Sequence, residues 1–171
     1  RELLTAAGIS AGVIKPFVVL VEGGASPAAL ETVVSRLEQT PGIEGAAARL
    51  AAERLTDPLR LAPLRALLLE MGQTLPKTLT GFVSYIQLNE RFHREIWSLA
   101  GNRMLLDNIE QVIRLPFAAP GALVFGEAEV ADARRTAELA QSQHQAIVDA
   151  IEHRQGARAE AIAREHALIA W

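Results

Sequence analysis

Three of the four histidines in this 171-residue chain sit at positions where an imidazole is costly unless something holds it. His93 belongs to the series Phe82, Ile86, Asn89, His93, Ile96 and Ala100, whose steps alternate between four and three residues. Such spacing marks one face of a helix, and most of this face is apolar. Asn89 and His93 therefore lie one turn apart in the middle of a core-facing stripe. The pattern recurs with Ala133, Ala137, Ala140, His144, Ile147 and Ile151, and again with Ala159, Ile162, His166 and Ile169. His153 is the internal control. At about 100° per residue it lies about 200° around the helix from Ile151, so it is expected in solvent.

A buried polar group must be satisfied. Three imidazoles aimed inward from separate helices either find scattered hydrogen-bond partners or converge on something. Neutral imidazole is a common ligand for zinc, nickel and other late first-row ions. Three of them with the side-chain oxygen of Asn89 would make a half-shell with coordination positions left open. The ordinary histidine pKa would place the loss of such binding near about pH 6. An open zinc position can also hold activated water, so a mononuclear hydrolase is an alternative. That chemistry wants a positioned general base, and no His-Glu-x-x-His motif supplies one. Glu90 and His93 match the Glu-x-x-His spacing of di-iron bundles, but Gln141 and Ala163 stand at that offset before His144 and His166.

The elements that must position these residues are helices. Half of the residues are hydrophobic while aromatics make up 5%, a composition that favours helices over sheets. Ser26-Pro27 and Asp57-Pro58 are N-caps followed by proline at the first helical position. They open helices over 27–54, with a kink or break at Pro41-Gly42, and over 58–72. Further helices are expected over 78–100, 102–114 and 127–154, with the last one following Gly156. Residues 115–126, with Pro116 and Pro120, read as irregular. Val13 to Val21 is β-branched and reads as one or two short strands ended by Gly23-Gly24. The expectation is an all-α antiparallel bundle, with any strand confined to residues 1–24.

The net charge is −3 and only two lysines occur, Lys15 and Lys77. Gripping nucleic acid needs concentrated positive charge, so this chain is not expected to do so by itself. Cysteine is absent, which excludes disulfides and thiolate metal sites. No uncharged apolar run reaches membrane-spanning length and the start does not read as a signal peptide, so a cytoplasmic protein is expected.

Four stretches, in order, resemble the C-terminal effector-binding and dimerisation (FCD) domain of the FadR-like branch of the GntR superfamily of transcription regulators. Ile43-Glu44, Ala46-Ala47 and Leu50-Ala51-Ala52-Glu53-Arg54 look like the end of that domain's first helix. Leu88-Asn89-Glu90-Arg91-Phe92-His93-Arg94-Glu95-Ile96, followed by Ala100-Gly101-Asn102, looks like its central signature. His144-Gln145-Ala146-Ile147-Val148-Asp149-Ala150-Ile151 is similar to its next motif, and His166 stands where its last histidine should.

The resemblance implies a bundle of six to seven helices over residues 26–171 that senses a small carboxylate metabolite and is not an enzyme. It implies a divalent metal, zinc or nickel, held by Asn89, His93, His144 and His166. It also implies a homodimer that meets operator DNA only through an attached winged helix-turn-helix. Arg1-Glu2-Leu3-Leu4 with Gly8-Ile9 looks like the end of that domain's recognition helix and Val18-Val19 like its wing. Residues 1–24 then read as a truncated or decayed remnant of it. Relatives often have Asp where Asn89 stands, so the ligand is neutral here and favours an imidazole-loving ion. They often carry Arg where Thr40 stands, which leaves Thr40 and Glu44 as candidates for the effector pocket. A pure dimerisation bundle without ligand is the remaining alternative.

Overall fold

The computed structural model describes residues 27–75, 78–113 and 130–169. The expected strands, the remnant at 1–24 and the irregular stretch 115–126 lie outside these residues. Among the described residues there are six α-helices and no strand. Helix α1 spans Pro27–Arg54, a 3-10 turn Pro58–Leu61, α2 Ala62–Gln73, α3 Leu79–Ala100, α4 Arg103–Ile113, α5 Val130–Glu152 and α6 Gly156–Ile169. The all-α expectation holds.

Local chemistry sets the ends. Asp57 caps the 3-10 turn by accepting from the Leu59 N–H at 2.9 Å, and Thr78 caps α3 by accepting from the Gly81 N–H at 3.1 Å. Gly101 ends α3 in the left-handed region at φ 57°, where a side chain would be strained. Of the expected kink or break at Pro41-Gly42, the break does not occur: α1 continues through Pro41. The missing N–H removes one helical bond. The downstream face, with Ala47, Ala48, Ala51 and Ala52 fully buried, outweighs it.

The contacts between helices fix their directions. Glu44 meets His93 and Arg54 reaches the Ala100 and Gly101 carbonyls, so α1 and α3 run the same way. The Tyr85 hydroxyl donates to the Ala137 carbonyl near the start of α5, at 3.2 Å. Gln141 donates to the Leu68 carbonyl while Arg65 pairs with Glu152, so α2 runs against α5. Gly156 lies against Glu53 and Gly45 against Arg164, so α6 runs against α1. Arg154, itself at φ 56°, donates to the Glu53 and Leu55 carbonyls. Two arginines thus tie the C-terminal ends of α1, α3 and α5 together, satisfying carbonyls that helix ends leave free.

Helix α6 packs most extensively on α1, along a seam of small residues. Gly156, Ala159 and Ala163 are buried on one side and Gly45, Ala48 and Ala52 on the other. A Cβ on Gly45 would fall 2.5 Å from Arg164 Cγ and 3.1 Å from the Glu160 carbonyl oxygen. One on Gly42 would meet nothing within 4 Å. Gly42→Ala is therefore expected to stabilise by about 0.5–1 kcal/mol through helix propensity. Gly45→Val must push α6 outward and is expected to cost about 1–3 kcal/mol. Urea unfolding of the two variants checks both signs.

Candidate metal centre

Each helix of the seam, and the two beside it, delivers one part of the site. Helix α3 carries Asn89 and His93, α5 carries Gln143 and His144, α6 carries His166, and α1 carries Thr40 and Glu44. The periodic stripes do their expected work. His93, His144 and His166 are buried at 4%, 0% and 7% exposure, while His153 is exposed and hydrogen-bonds only locally, to the Asp149 carbonyl.

The three buried rings converge. His144 Nε2 lies 2.9 Å from His166 Nε2, which lies 3.3 Å from His93 Nε2. One ring nitrogen from each falls within 4.8 Å of those of the other two. Ligand nitrogens at about 2.0–2.1 Å from a zinc-sized ion, at tetrahedral to octahedral angles, are about 2.8–3.4 Å apart. The 2.9 and 3.3 Å separations fall in that range.

The outward nitrogens decide what the inward ones can be. His93 Nδ1 lies 3.0 Å from Glu44 Oε2, and His166 Nδ1 lies 3.1 Å from Gln143 Oε1. Both partners are acceptors, so each Nδ1 carries the hydrogen, and in the neutral ring each Nε2 presents a lone pair. Three neutral imidazoles have three N–H groups, and two are used outward. One proton is left for three converging nitrogens. His144 can donate to His166, but then its buried Nδ1, which has no partner, is an unsatisfied acceptor. The cluster has more lone pairs than protons, and a cation is the species that such a donor set suits.

Burial holds two of the imidazoles neutral. The pKa of His144 is pushed well below the ordinary 6.5, first by burial and then by its neighbours His166 and His93. That of His166 falls to about 3, again by burial first and then by His93. These two rings therefore stay neutral further into acid than the ordinary value implies, and the expectation of loss near about pH 6 is too high for them. The walls are aromatic: the Phe92 ring sits 4.4 Å from that of His144, and Trp97 lies 6.0 Å from His93. Two surface hollows of about 410 and 560 Å³, between α2 and α5 and between α1 and α6, are lined by none of the three histidines.

Asn89 is buried at 9%, one helical turn before His93. Thr40 and Glu44 are both buried at 8%, one turn apart on α1. Glu44 is thus an interior carboxylate engaged by His93. Glu90, half of the di-iron-like motif, pairs instead with Arg94 at 2.8 Å in a largely solvated bridge. Gln143 was not among the residues singled out from the sequence. It lies one position from His144, off the stripe, and carries no periodic signal.

The family profile of the FCD domain matches residues 35–168, most of the chain. The chain belongs to the FCD family. It is the C-terminal effector-binding domain type of FadR-like GntR regulators, a ligand-sensing regulatory module. A comparison with curated proteins yields no match. No described helix of this FCD domain is long and apolar enough to cross a membrane.

The FCD domain's buried imidazoles generate a prediction for the metal-stripped protein. Above pH 6.5 both folded and unfolded chains hold His144 and His166 neutral, and these groups contribute nothing. Below it the unfolded chain takes up protons that the folded one refuses, so stability falls with pH down to the folded pKa, about 3 for His166. The slope is up to about 1.4 kcal/mol per pH unit for each histidine. Thermal unfolding between pH 6.5 and about 4.5, above the ordinary carboxylate range, should show a steady fall in Tm. A flat profile there would contradict the burial account.

Proposed function

We propose that residues 26–171 are the metal-dependent effector-sensing and dimerisation domain of a bacterial transcription regulator. In this reading Asn89, His93, His144 and His166 hold one divalent ion, zinc or nickel. The observation that carries it is the proton shortage among the three converging Nε2 atoms, which lie 2.9 and 3.3 Å apart along the chain of contacts. Asn89 supports it as an amide oxygen on the same buried face one turn from His93.

An ion held by these residues would supply Lewis acidity toward a negative group. The chain's own residues do the rest. Glu44 and Gln143 orient two of the rings, Phe92 and Trp97 exclude water, and the dry surroundings strengthen attraction for a negative group. A small carboxylate metabolite is the effector class of this reading, with Thr40 and Glu44 on α1 as its candidate pocket residues. Its binding controls DNA binding by an attached winged helix-turn-helix. The regulator acts in the cytoplasm as a homodimer, matching two-fold operators.

The purified chain is expected to hold about one divalent ion, one per half-shell of the kind described. His144→Ala should abolish retention after dialysis, whereas His153→Ala should leave it unchanged. A small carboxylate such as acetate should bind the metal-loaded protein more tightly than the stripped one. Elemental mass spectrometry and calorimetry read these outcomes. Equal metal content in wild type and the His144 variant would overturn the reading.

A further inference from the structure

Among the described residues Glu44 is the only buried carboxylate, and it sits against a histidine rather than a lysine or arginine. Its Oε2 lies 3.0 Å from His93 Nδ1, and both side chains are at least nine-tenths buried. A buried carboxylate is expensive unless it has a cationic partner or several donors. An imidazole in its neutral, metal-binding form offers the carboxylate one donor, so in that form the pair on its own leaves the charge poorly compensated.

The three rings also differ in what stands behind them. His93 is backed by a carboxylate, His166 by the neutral amide oxygen of Gln143, and His144 Nδ1 has no partner. The residues proposed as ligands, three imidazoles and an amide, carry no charge at all. A divalent ion among them would bring two positive charges into a dry interior with nothing negative in contact. Glu44 is one imidazole away from that position, on the far side of the His93 ring.

We infer that Glu44 is a positioning residue of the metal centre: it fixes the His93 tautomer that turns the Nε2 lone pair inward, and it supplies the site's negative charge through that ring. The inference rests on the metal reading above. Cation and carboxylate then solve each other's desolvation problem, with the imidazole polarised between them. Outer partners of this kind raise the basicity of the ligand they hold. Toward an effector, Glu44 acts only indirectly, and Gln143 is its uncharged counterpart behind His166.

Two substitutions separate tautomer from charge. Glu44→Gln keeps an oxygen acceptor for His93 Nδ1 and removes the charge, while Glu44→Ala removes both. The full chain, labelled with nitrogen-15 and stripped of metal, reports the His93 tautomer by NMR, and competition with a chelator gives its zinc affinity. Circular dichroism confirms that each variant is folded. Wild type and Glu44→Gln should both show His93 protonated at Nδ1, and Glu44→Ala should lose that preference. Zinc affinity should fall about 10-fold or more in Glu44→Gln and up to about 100-fold in Glu44→Ala. Affinities within twofold of wild type, or an unchanged His93 tautomer in Glu44→Ala, would overturn the inference. A wild type that takes up no zinc would instead remove the metal reading and the charge role with it. The tautomer measurement would then still decide whether Glu44 orients His93.

Discussion

Everything else in this domain serves, or has to accommodate, three imidazole nitrogens held face to face in a dry interior. Lone pairs 2.9 and 3.3 Å apart repel unless protons or a cation lie among them. The outward hydrogen bonds to Glu44 and Gln143 consume the protons that would otherwise relieve the repulsion. Burial removes the second route to relief, because it disfavours the imidazolium form of His144 and His166. The fold therefore stores a polar frustration in its centre, which is common where a binding site takes precedence over packing.

Keeping four helices in place around that frustration needs rigid approach elsewhere. The seam between α1 and α6 does this with small residues on both sides, so that α6 comes close enough to bring His166 to the cluster. At the other end, Arg54 and Arg154 bind the carbonyl ends of neighbouring helices and hold the registers. The large apolar side chains, Phe92, Leu64, Met71, Ile147 and Ile151 among them, are fully buried and supply the hydrophobic drive. Phe92 does both jobs, since it fills the core and walls His144.

The stripes on three helices were legible in the sequence because periodicity reports which face is buried, and the histidines interrupt otherwise apolar faces. His153 was legible as exposed for the same reason. Helix ends were readable from Asp57 and Gly101, whose capping chemistry is local. The span of α1 was readable too, but not whether Pro41 would break it, since tertiary burial of the downstream alanines had to be weighed against a local breaker. Glu44 shares a helical face with Thr40, Ala48 and Ala51, so its burial was readable in principle. Its engagement with His93 required knowing how α1 meets α3. Gln143 offered no signal, because a polar residue beside a stripe looks like any half-exposed glutamine.

The central claim is that His93, His144 and His166 share one cation. X-ray absorption at the zinc edge of the zinc-loaded full chain tests it most directly, since imidazole rings give distinctive multiple scattering. The account predicts a first shell of nitrogen and oxygen at about 2.0–2.1 Å with three imidazoles in it. A shell of oxygen alone, or one with a single imidazole, would contradict it.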